Sequence, residues 1–207
     1  PLQKKLKGDE KLTPEELAKF EEIEPLLKND SLAFATKKGV LKKSYLHHYT
    51  RINRRGKIAI NLSADDELIT VRHGTDSDDV VLLSSNGRAC RFNLDSVRPQ
   101  GRNAGGVRGI NLEDGCDLVG MMMASKEMIK STWVLTITKQ GMCKRTIVNT
   151  GDMIHRLDEN GEKIWDDVKG DWKTKREGYR VTRRGMKGPN AMGLNAGDSI
   201  VRVHQIP

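Results

Sequence analysis

The sequence predicts an all-β protein, a propeller-like array of four-stranded blades preceded by a short N-terminal helix. Three observations predict it. An apolar run, a glycine turn and a basic second strand recur three times along the chain. Each copy is followed by a basic, glycine-containing loop and then by a second pair of apolar runs around an acidic turn. The composition is lean, with 36% hydrophobic and 31% charged residues in a chain of 207. Such a composition favours several small cores over a single large one.

The first element is helical. Residues 1–11 are rich in lysine, and Leu12-Thr13-Pro14-Glu15-Glu16-Leu17 follows. Thr13 suits an N-cap, Pro14 the first helical position, and Glu16 closes a capping box. Leu12 and Leu17 are spaced for a hydrophobic staple, and Pro25 ends or kinks the helix. Residues 1–30 therefore read as an N-terminal segment carrying one helix.

The repeats begin at Ser31. The copies SLAFATKKGVLKK (31–43), DVVLLSSNGRACRF (79–92) and TWVLTITKQGMCKRT (132–146) align on Gly39, Gly87 and Gly141. A strand, a glycine turn and a second strand make a β-hairpin. Next come IAINLSADDELITVR (58–72), RGINLEDGCDLVGMM (108–122) and NAMGLNAGDSIVRVH (190–204), read as second hairpins. In these Leu62, Leu112 and Leu194 correspond, as do Leu68, Leu118 and Ile200. The blades span about 31–78, 79–131 and 132–207, the last carrying an insertion at about 147–178. A four-stranded unit at this period is the signature of a propeller-type array. The insertion holds Trp165 and Trp172, expected to anchor it to its host, with stacking on bases as the alternative.

Charge is distributed by position within the repeat. Lys+Arg is 36 against Asp+Glu 28, a net +8. A positive balance attracts polyanions, nucleic acid first. Lys42 to Lys57 holds six basic residues and no acid, and the stretch 98–112 (RPQGRNAGGVRGINL) also lacks acids. Lys173 to Lys187 holds seven basic residues and one acid, Glu177. The candidate phosphate-binding residues are Lys42, Lys43, Arg51, Arg54, Arg55 and Lys57 in the first repeat. They are Arg91, Arg98, Arg102 and Arg108 in the second, and Lys144, Arg145, Arg180, Arg183, Arg184 and Lys187 in the third. Like positions in successive blades occupy like places, so these loops should line one rim and bind duplex backbone with little base readout.

Other chemistries find little support. Cys90, Cys116 and Cys143 lie far apart without CxxC spacing and read as buried thiols. Asp65-Asp66-Glu67 reads as an acidic turn before a cation site. His47 and His48 are adjacent, so on a strand they face opposite ways and make poor co-ligands. There is no GK[ST] phosphate loop and no apolar run long enough to span a bilayer, so neither a bound nucleotide nor a membrane is expected.

On these residues the chain resembles a known family. VVLLSSNGRACRF followed by RPQGRNAGGVRGINLEDGCDLVGM is similar to a blade of the C-terminal domain of the bacterial DNA gyrase A protein. LAFATKKGVLKKS and YRVTRRGMKGP resemble other blades of that domain. The resemblance covers about residues 31–207 apart from the insertion. It implies a β-pinwheel, whose blades exchange strands with their neighbours, and a domain that wraps duplex DNA on its perimeter. The topoisomerase IV relative shares the fold. The family's heptapeptide, Gln-Arg/Lys-Arg-Gly-Gly-Arg/Lys-Gly, is matched at Arg183, Arg184, Gly185, Lys187 and Gly188, with Thr182 and Met186 departing. Arg54-Arg55-Gly56-Lys57 resembles a shortened version.

The resemblance further implies partners and a compartment. The partners are the ATPase B subunit and the remainder of the topoisomerase A subunit, in a nucleoid-associated, cytoplasmic setting. ATP and Mg would belong to the parent enzyme, and no cofactor is expected in this chain. The nucleophilic tyrosine of such enzymes typically follows an arginine. Tyr45, Tyr49 and Tyr179 follow Ser44, His48 and Gly178, so the chain is expected to be non-catalytic by itself. The alternative function is a propeller-like platform for protein partners, using the acidic turns and the tryptophan-bearing insertion.

Overall fold

In a computed structural model the described residues are 13–15, 30–49, 56–148 and 152–206. Most of the expected N-terminal helix lies outside them, as do Arg51, Arg54 and Arg55. The first repeat contributes β1 (Ser31–Thr36), β2 (Val40–Tyr45) and β3 (Leu68–Gly74). The second contributes β4 (Asp79–Ser84), β5 (Ala89–Asn93), the short β6 (Val107–Arg108) and β7 (Leu118–Ala124). The third contributes β8 (Trp133–Thr138) and β9 (Cys143–Ile147). Its insertion adds β10 (Met153–His155), β11 (Trp165–Asp166), β12 (Asp171–Trp172) and β13 (Thr174–Arg176), and β14 (Ile200–Ile206) follows. The fold is an all-β β-pinwheel.

Each blade is built on one tight hairpin. Gly39, Gly87 and Gly141 have φ of 80, 83 and 87°. Their N–H groups donate to the carbonyls of Thr36, Ser84 and Thr138 and close the turns. Only glycine takes this left-handed conformation without penalty, which is why the turn repeats a glycine. On the other side of each hairpin, β3, β7 and β14 pair antiparallel with β1, β4 and β8.

The blades stack through two small cores. Strand β4 is buried on both faces. Val80 and Leu82 join Ala33, Ala35, Leu41, Met121 and Met123 toward the first blade. Val81 and Leu83 join Met122, Val134, Val148 and Tyr179 toward the third. Each fully buried Leu or Val contributes about 1.5–3 kcal/mol. Strand β7 lies between β3 and β14. Gly120 lets the strands approach closely there, since a β-carbon would sit 3.1 Å from Val203. The Gln205 side chain brackets Met123, donating to its carbonyl and accepting from its N–H.

The second hairpins expected from the sequence are not hairpins within a blade. In the second and third repeats the first arm leaves its own repeat and pairs with the preceding one. β6 runs antiparallel to β2, pairing Val40 with Arg108 and Leu41 with Val107. Likewise Asn190 bridges Arg88, and Ala89 N–H donates to the Pro189 carbonyl. The first and second blades thus borrow a strap from the next repeat. The strap's apolar residue, Ile110 or Met192, is buried.

Two side-chain expectations are corrected. Cys90 is buried, but Cys116 is half-buried and Cys143 exposed. Cys143 opens β9, the outer strand of its sheet among the described residues. Trp165 and Trp172 do not anchor the insertion. They face each other across the β11–β12 pair, edge to face with ring centroids 5.1 Å apart, and stay 45% and 41% exposed. The two rings pack on one another across this pair of two-residue strands.

Candidate nucleic-acid interface

The three basic loops align in register without gaps, as 48–62, 98–112 and 180–194. In this register Gly56, Gly106 and Gly188 coincide, with φ of 76, 99 and 74°. The left-handed turn at Gly106 and Gly188 swings the chain onto the preceding blade. There the strap amides of Gly109 and Ile110 donate to the Gly39 carbonyl, and those of Ala191 and Met192 to the Gly87 carbonyl.

The loops are also bonded to one another in sequence. Asn61 N–H donates to the Ala104 carbonyl (3.2 Å), and Asn111 N–H to the Met186 carbonyl (3.0 Å). Asn61 and Asn111 are equivalent, as are Ala104 and Met186, so the same contact joins loop one to two and two to three. Gly185 N–H adds a bond to the Gly109 carbonyl, and the Arg184 guanidinium donates to the Arg108 carbonyl at 2.7 Å. The backbones form one continuous strip.

The candidate cations divide into two groups. Arg98, Arg108, Arg180, Arg183 and Lys187 are exposed on the strip, with Lys57, Arg102 and Arg184 half-buried beside them. Lys144 and Arg145 are exposed on β9. Arg145 lies over the Trp133 ring, 4.4 Å from its centroid, and Lys144 Nζ donates to the Ala191 carbonyl at 2.6 Å.

Lys42, Lys43 and Arg91 are corrected from surface to interior, being 0%, 1% and 2% exposed. Their strands are covered on both faces, so their charges serve the fold. Lys42 Nζ donates to the Ala59 carbonyl at 2.7 Å and to that of Arg102, tying loop one to loop two. Burial and the nearby Arg102 charge push its pKa down. Lys43 pairs with Asp76. Arg91 pairs with Asp79 at 2.7 Å and donates to the Val148 and Tyr179 carbonyls.

The acids have structural tasks. Asp66 Oδ1 accepts from Lys38 N–H and Asp198 Oδ1 from Gln140 N–H, each capping a hairpin turn. Glu113 joins Arg88 at 3.1 Å and Lys187 at 3.6 Å, and accepts from the Asn86 amide. Arg88 is absent from the candidates that charge and spacing select. Its guanidinium donates to the Gly188 carbonyl and holds the third strap. A cation directly after the turn glycine is the signal that marks it. Among the described residues no group of three or more His, Cys, Asp or Glu is placed to hold a metal, and no helix is long and apolar enough to cross a membrane.

A family model described as the DNA gyrase C-terminal domain, beta-propeller, matches residues 30–73, 78–125, 132–149 and 173–207. The chain belongs to the DNA gyrase C-terminal domain family. The DNA gyrase A protein of Staphylococcus epidermidis is 42% identical over 134 residues, 65% of this chain and 14% of that protein. The DNA gyrase A protein of Staphylococcus aureus is 43% identical over 132 residues, 64% of this chain and 14% of that protein. The matched stretch is therefore a small part of the length of these relatives.

Among solved structures, the C-terminal domain of DNA topoisomerase IV has a TM-score of 0.55 at 20% identity, covering 86% of this chain and 62% of that one. The DNA gyrase A C-terminal domain has a TM-score of 0.52 at 21% identity, covering 86% and 66%. Both share the fold of this gyrase-family domain. The family match skips 150–172, which holds β10 to β12 and the tryptophan pair.

Proposed function

We propose that this gyrase-family domain is a non-catalytic module that binds and wraps duplex DNA for a type IIA topoisomerase. The carrying observation is the bonded strip of loops, in which Arg184 donates to the Arg108 carbonyl and Asn111 to that of Met186. Arg98, Arg108, Arg180, Arg183 and Lys187 stand exposed along this strip, where a row of phosphates could be received. Arginine forks suit phosphate oxygens, and glycines let the backbone approach closely. A strip of phosphate contacts without a recognition helix gives affinity with weak sequence preference. The bend imposed on the duplex is offset by contacts to successive loops.

On this reading the chain has no active site or cofactor of its own. The ATPase B subunit and the remainder of the topoisomerase A subunit are its partners, ATP and Mg belong to the parent enzyme, and the setting is the cytoplasmic nucleoid. Replacing Arg183, Arg184 and Lys187 with Ala should weaken duplex binding and lower the salt slope by up to about three. Incubation with relaxed plasmid, re-relaxation by a type I topoisomerase and removal of protein should then show a dose-dependent linking-number shift that the triple variant lacks. Unchanged affinity and slope in that variant would refute the assignment.

The alternative, a platform for protein partners, draws on the exposed Trp165–Trp172 pair beside Asp166, Asp167 and Asp171. Salt-tolerant binding to a folded protein, lost with both tryptophans and without duplex affinity, would favour it.

A further inference from the structure

Loops two and three open on Arg98 and Arg180, and both side chains are exposed. Two residues further on, each loop is tied to the preceding blade in the same way. Gln100 N–H donates to the Lys43 carbonyl at 2.8 Å, and Thr182 N–H to the Arg91 carbonyl at 2.7 Å. Lys43 and Arg91 each lie four residues after their turn glycine, Gly39 or Gly87. The two arginines are therefore equivalent in space as well as in sequence. The same register places His48 at this position in loop one.

His48 lies on the single helical turn Leu46–Tyr49 that follows β2. Its ring meets that of His47 edge to face with centroids 4.4 Å apart, and that of Tyr45 edge-on at 6.2 Å. It is half-buried, and its Nδ1 is enclosed without a hydrogen-bond partner among the described residues. Burial, then the charges of His47, Arg102 and Lys42, push its pKa below the ordinary 6.5. The titratable and charged groups around it are Tyr45 and Lys42 of β2, its neighbours His47 and Tyr49, and Arg102 of loop two. No carboxylate among the described residues raises it. Cations nearby and no acceptor keep the ring neutral in the free chain at neutral pH. Loop one thus lacks, at this place, the charge that Arg98 and Arg180 supply in the others.

We infer that His48 is a phosphate contact of loop one, the counterpart of Arg98 and Arg180, and that it takes up one proton when a duplex phosphate arrives. The inference rests on the reading of the strip as a DNA interface. The proton moves from solvent to the imidazole, and the resulting imidazolium donates to a phosphate oxygen. A phosphate brings both the opposite charge and the acceptor that the free site lacks, so it favours the charged ring. The pKa of the bound state then lies above that of the free state. The added affinity is full below the free-state value and is lost as pH rises through the bound-state value. Arginine stays charged throughout, so the proton dependence belongs to loop one.

The test uses the whole chain and a short DNA duplex. Fluorescence anisotropy at fixed salt should show affinity rising roughly threefold to tenfold as pH falls from about 8 to about 5.5. His48→Gln should lose most of that rise. His48→Arg should hold the tighter affinity across the range and raise the salt slope at about pH 8 by about one. Calorimetry at about pH 6.5, in two buffers of different ionisation enthalpy, should show proton uptake on binding by the parent and less by His48→Gln. His47→Gln should keep the uptake, which separates the two rings, and circular dichroism checks that each variant folds. Salt-dependent binding with the same pH dependence and proton uptake in the parent and in His48→Gln would overturn the inference and leave the DNA reading standing. No salt-dependent binding at any pH, by the parent or by His48→Arg, would overturn both.

Discussion

Gly188 crosses the second blade so closely that a β-carbon on it would stand 2.0 Å from the carbonyl oxygen of Ala89. Its counterpart Gly56 has the same left-handed backbone, with φ of 76° against 74°, but open space around it. Gly56→Ala should cost only the backbone strain, about 1–2 kcal/mol. Gly188→Ala adds displacement of the strap and should cost about 3 kcal/mol or more. Urea denaturation of the two variants measures the difference, and equal losses would mean that the strap yields freely.

Buried Arg91 pairs with the partly buried Asp79 at 2.7 Å. Removing either partner strands the other charge in the interior, so Arg91→Met should cost about 3–5 kcal/mol. Asp79→Asn should act in the same direction. Neither variant, while still folded, should change the salt slope of duplex binding, because neither side chain reaches the strip. A lowered slope in folded Arg91→Met would return this residue to the interface.

Tyr179 is buried in the second core, and burial pushes its pKa up to about 12 against an ordinary value of 10.0, partly opposed by a hydrogen bond with Thr146. An acid with a raised folded pKa stabilises the fold below its unfolded pKa. That contribution, about 3 kcal/mol, is lost as pH rises from about 10 to about 12. Tyr179→Phe should therefore flatten the fall in stability over that window relative to the parent chain. Parallel stability–pH curves would place the phenol in solvent.

Glu113 sits 3.6 Å from Lys187 and competes with any phosphate for it. Glu113→Gln keeps a group able to bond the Asn86 side chain but removes the charge. Duplex affinity at low salt should rise a few-fold, with a smaller gain at high salt. Fluorescence anisotropy across a salt series reads both, and weaker binding would mean that Glu113 serves the interface by positioning Arg88.

Much of this architecture is written in residue types with one physical meaning. Gly39, Gly87 and Gly141 mark turns because the backbone there is left-handed, and the apolar runs before them mark strands. The register of the three loops is legible for the same reason. The buried cations are not. After a hairpin turn, Lys42, Lys43 and Arg91 look like a solvated edge, and the groups that enclose them, such as the Arg102 carbonyl, Asp76 and the Val148 and Tyr179 carbonyls, lie far along the chain. The clue lies in Arg91 between Cys90 and Phe92, a charge among core-forming residues on a strand covered on both faces. The mutual packing of the tryptophan pair is hidden because composition does not reveal the β11–β12 pairing. The exposed residues of the strip follow from charge and spacing, and the proposed phosphate contacts are what the salt-slope experiment tests.

The borrowed strap has a consequence for how such a chain is made. Leu41 meets its partner Val107 only after the intervening residues have emerged from the ribosome. Ala89 likewise waits for Pro189. During synthesis each of these two blades therefore carries an unsealed edge until the following repeat arrives, and folding advances as a wave lagging one repeat behind translation. A pause just after either strap has emerged would let that wave catch up, whereas a pause just before Gly106 or Gly188 would hold a sticky edge open to neighbouring nascent chains.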